Sequence, residues 1–194
     1  MLERLIKAIT WRYYFVYFSF KKNIIVGRKT RIYGLVSFTV PRDSLLTIGD
    51  NVVVKSGFNL NPLSRNIRAS IKLEPGARIS IGNNTGISSA CIWAKTEIDI
   101  GEFVNVGADA IIIDSDWHSL DSKIRRDPSD DVKNAKSKKV RIGDDVLVGT
   151  RSIILKGTTL MAGVVVGAGT VIAGGEFSRS IIVNSKNRTF DVDH

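Results

Sequence analysis

The chain has 194 residues, 43% of them hydrophobic, and a formal net charge of +9 at pH 7. That length suits one well-buried domain, and nothing in the sequence marks a linker to a second. Cys91 is the sole cysteine, which excludes a disulfide within the chain and makes a reducing cytosol the default setting. The positive charge is uneven. Residues 1–31 carry eight Lys or Arg against Glu3 alone, and residues 121–141 carry eight more against four Asp. Basic surfaces attract phosphates, but no nucleic-acid motif accompanies either cluster, so no nucleic-acid partner is expected.

Residues 1–22 predict an amphipathic helix. Leu2, Leu5, Ile6, Ile9, Tyr13, Val16 and Phe20 recur at helical spacing, with Glu3, Arg4, Lys7 and Arg12 among them. Four charges in twelve residues make it a poor transmembrane span, and no small-residue cleavage site follows. Two roles are open to it. It can cap the exposed end of the following domain, or its aromatic and basic residues can lie at an anionic membrane surface as a peripheral contact.

Next comes a motif in four copies: Leu46-Thr-Ile-Gly-Asp-Asn-Val52, Ile79-Ser-Ile-Gly-Asn-Asn-Thr85, Ile98-Asp-Ile-Gly-Glu-Phe-Val104 and Val140-Arg-Ile-Gly-Asp-Asp-Val146. The Gly in each suits a corner needing positive φ or close backbone approach, and the Asp, Asn or Glu after it suits a turn. The copies start 33, 19 and 42 residues apart. Nineteen is close to three six-residue rungs, one turn of a triangular coil. Cys91, four residues after Ile87, reads as an inward core position.

Ile111-Ile112-Ile113 closes a rung, and residues 114–139 then leave the coil as a polar loop. Loops of this length in compact domains are commonly functional. This one holds His118, and the other histidine is the terminal His194. Asp114, Asp116 and Asp121 flank His118, and a carboxylate there would orient the ring and raise its basicity, as a general base requires. Asp114 and Asp116 are both candidates for that partner.

From Ile142 to Ile172 the period of six runs unbroken. Ile142, Val148, Ile154, Leu160, Val166 and Ile172 mark it, and Val146, Ser152, Thr158, Val164 and Thr170 follow the first five by four residues. A helix repeats every 3.6 residues and a half-buried strand every 2. A strict six fits short straight segments joined by tight corners, with one branched side chain per corner directed to a shared axis. The expected fold is therefore all-β, a parallel solenoid over residues 23–190, with the loop at 114–139 and the helix in front of it.

The run from Ile142 to Leu160, followed by Val166-Gly-Ala-Gly-Thr-Val-Ile172, resembles the signature of the hexapeptide-repeat acyltransferases, in the branch of sugar O-acetyltransferases. That resemblance implies a left-handed parallel β-helix, a homotrimer with active sites between subunits, and acetyl-CoA as cosubstrate without a metal. It implies His118 as catalytic base, with Asp116 beside it. It places the pantetheine arm along Gly149, Thr150, Gly167 and Ala168, where Thr150 and Ala168 stand one coil apart. It places the nucleotide end near Lys186 and Arg188, and a sugar or glycan acceptor near Asp114 and Arg125. The implied activity is O-acetylation of a sugar in bacterial surface polysaccharide, in the cytoplasm or at the inner face of the membrane. N-acetylation of a nucleotide-linked amino sugar is the alternative. The chain departs from the pattern in three places: Ala173-Gly174 replaces a Thr-Lys pair, Asn184-Ser-Lys-Asn187 replaces a Gly-x-Pro-Ala segment, and Leu147 replaces a Trp. A zinc enzyme of the same fold would need three His ligands, which one internal His does not supply.

Overall fold

Strands of two to four residues alternate with tight corners along nearly the whole chain. The structure is a computed structural model that describes residues 2–65, 67–183 and 189–191. A helix, α1 (Leu2–Ser19), precedes the first strand, and a short one, α2 (Pro128–Asn134), lies in the 114–139 insertion. The coils follow in order: β1 (Ile24–Val26), β2 (Arg31–Tyr33) and β3 (Ser37–Thr39); β4 (Leu45–Ile48), β5 (Val53–Lys55) and β6 (Ser70–Leu73); β7 (Arg78–Ile81), β8 (Gly86–Ser88) and β9 (Cys91–Ala94). Then come β10 (Glu97–Ile100), β11 (Asn105–Val106) and β12 (Ile111–Ile113); β13 (Val140–Ile142), β14 (Leu147–Val148) and β15 (Ile153–Ile154); β16 (Thr158–Leu160), β17 (Val165–Val166) and β18 (Val171–Ile172). β19 (Gly175–Phe177) and β20 (Ser180–Ile182) begin a further coil, and β21 (Thr189–Asp191) turns back antiparallel to β20.

Every third strand stacks in parallel on the one before it, so three sheets form the walls of a triangular prism. β1, β4, β7, β10, β13, β16 and β19 make the first wall, the β2 series the second and the β3 series the third. In register, Ile98 pairs with Ile79 on one side and with Val140 on the other, so the 114–139 insertion is spliced between two strands that still stack directly. Among the described residues a second, shorter excursion leaves the coil between β5 and β6, with a 3-10 turn at Pro62–Ser64. It accounts for the 33-residue spacing between the first two motif copies, where Leu46 pairs with Ile79.

The core is the prism axis. All the positions marked by the period of six, from Ile142 through Ile172, are buried. The Ser and Thr among them are small enough for a corner and bond back to carbonyls, as Ser152 Oγ does to Gly167 O (2.8 Å) and Thr158 Oγ1 to Leu155 O (2.8 Å). Burying each Ile or Leu contributes about 1.5–3 kcal/mol. The motif glycines serve close approach rather than positive φ: a Cβ on Gly101 would collide with Gly143 and Asp144 of the next coil. Positive φ falls two residues later, at Asn51, Asn84, Phe103 and Asp145 (55–58°).

Cys91 departs from its expected inward position. Ile87 pairs with Val106 and Ile92 with Ile112, so this rung takes five residues where the next takes six. Ile92 therefore fills the axis, and Cys91 sits half-buried on the outer face. Burial there raises its thiol pKa.

α1 closes the first coil. Tyr14 Oη donates to Val36 O (3.0 Å) and accepts from Val36 N–H (2.6 Å), while Thr10 Oγ1 accepts from Gly34 N–H (3.1 Å) and donates to Ile32 O (3.4 Å). Trp11 Nε1 donates to Thr30 O (3.3 Å). Side chains of the helix thus take up backbone groups that a preceding coil would otherwise pair, the need that an open sheet edge creates.

Candidate active site

The insertion is clamped at its base before it carries anything chemical. Asp114 is fully buried, and its carboxylate accepts from Lys95 N–H (2.6 Å), Thr96 N–H (2.7 Å), Thr96 Oγ1 (2.7 Å) and Glu97 N–H (2.7 Å). A carboxylate so occupied is a structural cap for the β9–β10 corner, which corrects its expected place in acceptor binding. Lys138 N–H donates to Asp114 O (2.9 Å) and Asp116 N–H to Lys136 O (3.0 Å), so the two legs of the insertion zip together.

Beyond the clamp, Trp117 takes φ 62°, an outlying conformation for a bulky residue. Its ring stacks on Trp93 of β9 (3.6 Å between centroids), whose Nε1 donates to Glu74 (2.9 Å). The turn at Trp117 separates the directions of its neighbours. Asp116 goes to the coil side and pairs with Lys156 (2.8 Å), while His118 goes outward with 68% of its side chain exposed.

The partner of His118 is Asp131, whose Oδ2 lies 2.6 Å from Nδ1. Asp131 therefore replaces Asp116 as the orienting carboxylate. Its other oxygen accepts from Ser119 N–H (2.6 Å), and Arg125 Nη1 holds the carbonyl of the same Ser119 (2.7 Å). The hydrogen bond to His118, ahead of that from Ser119, holds the Asp131 carboxyl below the usual carboxylate range against the opposing effect of burial. Asp131 is delivered by α2, which begins on Asp127 as N-cap, accepting from Ser129 N–H (2.9 Å) and Asp130 N–H (3.1 Å), with Pro128 in its first turn. With Nδ1 committed to a carboxylate, the imidazole carries its free lone pair on Nε2, the arrangement of an oriented base.

Gly149, Thr150, Gly167 and Ala168 lie together as expected, at the corner between the second and third walls. Val148 pairs with Val166, and Gly169 N–H donates to Thr150 O (2.8 Å), so the two corners stack. A Cβ on Gly149 would meet Ala168 N at 2.5 Å and Gly167 C at 2.7 Å, so only Gly lets these corners close up. Ala168 is exposed and Thr150 half-exposed, giving a smooth outer edge. This corner is not the one that bears the insertion, which leaves between the third wall and the first. One chain therefore does not bring His118 and the smooth edge to the same corner. Lys186 and Arg188 lie outside the described residues. No group of three His, Cys, Asp or Glu among the described residues stands close enough to hold a metal ion.

Residues 139–173 match the model of the hexapeptide repeat of succinyl-transferase. Galactoside O-acetyltransferase of Escherichia coli (strain K12) is 32% identical over 101 residues, covering 50% of this chain and 48% of that protein. The bifunctional protein GlmU of Baumannia cicadellinicola is 26% identical over 163 residues, covering 75% of this chain and 31% of that protein. The chain thus spans less than half the length of these two relatives. Among solved structures, AntD, an N-acyltransferase from Bacillus cereus in complex with dTDP and 3-hydroxybutyryl-CoA, superposes with a TM-score of 0.68 at 18% identity, over 93% of this chain and 88% of its own. Over residues 139–173 the chain carries the hexapeptide repeat, and it folds as a left-handed parallel β-helix like that of AntD.

Proposed function

We propose that the chain is an acetyl-CoA-dependent O-acetyltransferase that acts on a sugar hydroxyl in bacterial surface polysaccharide, whether capsule, O-antigen or exopolysaccharide. The observation that carries this reading is the His118–Asp131 pair, held outward on a clamped insertion. Acetyl-CoA supplies an activated acetyl thioester. His118 Nε2 takes the proton from the acceptor hydroxyl as its oxygen bonds to the thioester carbonyl carbon. The same nitrogen returns that proton to the departing CoA thiolate, leaving ester, free thiol and neutral imidazole. Asp131 fixes the tautomer and stabilises the imidazolium in between.

The smooth corner at Gly149, Thr150, Gly167 and Ala168 suits an extended amide-bearing arm, because no large side chain intervenes. Lys186 and Arg188 are assigned to the nucleotide phosphates. Arg125, whose Nη1 bonds the Ser119 carbonyl, is assigned to the acceptor. A homotrimer would let a neighbouring copy bring its insertion to this chain's smooth edge. Residues 1–22 form a cap, 23–190 the catalytic domain, and α1 suits work at the cytoplasmic face of a membrane. Supporting the acceptor class is the 32% identity to a galactoside O-acetyltransferase. N-acetylation of a nucleotide-linked amino sugar is the second reading, favoured by the likeness to AntD in complex with dTDP.

Mass spectrometry of products formed from acetyl-CoA with hydroxyl and amine sugar acceptors tests the proposal. Acetyl esters are expected. Products acetylated only on amines would sink the first reading and favour the second.

A further inference from the structure

The α1 end of the molecule is apolar on the side that faces away from the protein. Thr10, Tyr14, Tyr17 and Phe18 face the first coil. On the other side Leu5 (55% exposed), Ile9, Tyr13, Val16 and Phe20 (81%) form a stripe at spacings of three and four, with Phe15 (71%) beside it. A helix that is hydrophobic all round is normally buried on all sides. Here, among the described residues, one side has no cover. The shorter insertion between β5 and β6 extends the patch: Phe58 and Leu63 are exposed, and a groove of about 340 Å³ between Leu5, Ile9, Leu35, Phe58 and Leu60 joins it to the helix. Because α1 takes up the open hydrogen-bonding groups of the first coil, this surface looks out along the prism axis.

We propose that this end is a docking surface for an anionic lipid bilayer, lying in its interface rather than crossing it. The inference extends the membrane role of α1 and adds the 57–68 excursion to it. Charge identifies the occupant. The surface carries the exposed Arg12, Lys21, Lys22, Lys29 and Arg68, whereas Arg65 reaches along the coil to Asp109 (3.6 Å), and residues 1–31 hold one acidic residue against eight basic ones. Two copies meeting face to face would repel, whereas anionic headgroups complement that rim. Aromatic rings among basic residues match the headgroup boundary, where an apolar body and a polar edge are both satisfied. No helix of the described residues is long and apolar enough to cross a membrane. The insertion bearing His118 leaves the fourth coil, so three coil spacings, roughly 15 Å, separate it from the first coil, and α1, about 10 Å across, lies beyond that.

The test is co-sedimentation of the full chain with vesicles of phosphatidylcholine alone and of phosphatidylcholine with phosphatidylglycerol, at low and high salt. Wild type should bind only the anionic vesicles and lose most binding in high salt, as screening predicts. The outward-facing triple variant Ile9→Gln, Phe15→Gln, Phe20→Gln leaves Thr10, Trp11 and Tyr14 in place. It should bind at least about tenfold more weakly while acetylating a water-soluble acceptor at the wild-type rate. Equal binding by both proteins, or no binding by wild type, would overturn the proposal. So would a wild-type assembly that the triple variant halves in size without any lipid binding, since the face would then join two copies. His118→Ala should still bind vesicles, so failure of the catalytic reading and failure of docking give separate results.

Discussion

At the scale of single residues, His118 was legible and its partner was not. A lone internal histidine in a loop that interrupts a strict repeat stands out in any reading of the chain. The carboxylates next to it in sequence are the natural candidates to orient it, yet Trp117 adopts a left-handed conformation and sends Asp116 to Lys156. Asp131 arrives instead from 13 residues away. Its signal was present in Asp127-Pro128-Ser129-Asp130-Asp131, a helix start with N-cap and first-turn Pro; the helix is short enough to pass for loop. Asp131→Asn should lower acetyl transfer by about 10²-fold or more, since it removes the carboxylate that sets the tautomer. Asp116→Asn should leave the rate near wild type, and steady-state kinetics on both separates the assignments. Asp131 has a depressed pKa in the folded protein, so its stabilising effect is present above the unfolded carboxyl value of about 3.9 and is lost as pH falls through the folded value. The stability difference between wild type and Asp131→Asn should hold steady from neutral pH to about 4 and close below it, as measured by denaturant titration across pH.

At the scale of elements, α1 and the coil corners show what residue pattern does and does not convey. The apolar spacing of residues 2–20 announces a helix, but not that Tyr14 and Thr10 replace a missing coil through hydrogen bonds. Tyr14→Phe leaves the Val36 N–H and C=O without their partner, both buried under the helix. It should cost about 1–3 kcal/mol, read as a lower denaturation midpoint; an unchanged midpoint would show that α1 docks without this contact. Cys91 shows the limit of counting. A period of six predicts it inward, and one residue missing from the Ile87–Ile92 step puts Ala90 in that small position and Ile92 in the next inward one. Such a deletion leaves no mark in composition, because Ala90, Cys91 and Ile92 are all plausible core residues.

At the scale of the whole molecule, the repeat carried nearly everything about architecture, since each coil must place a branched or small side chain on the axis every six residues. The inward register can be checked by a neighbouring pair on one strand. Ile112 is fully buried and Ile111 half-exposed on β12. Ile112→Ala should cost about 2–5 kcal/mol, and Ile111→Ala clearly less, in thermal or denaturant unfolding. Equal losses would mean that the axis is not where the prism places it. What the repeat conveyed poorly was where the coil is left. The 42-residue gap between motif copies flagged the larger insertion, but the 33-residue gap that marks the excursion before β6 was not assigned to a loop. Assembly is also beyond the repeat, yet the placement of insertion and smooth edge at different corners gives a physical reason for a shared site.

In the proposed reaction His118 is the base for acetyl transfer. Its most direct test is the initial rate of acetyl transfer by His118→Ala, measured alongside the assembly state of the same sample. Transfer should fall by about 10²–10⁴-fold with the assembly unchanged; a rate within error of wild type in an intact assembly would contradict it.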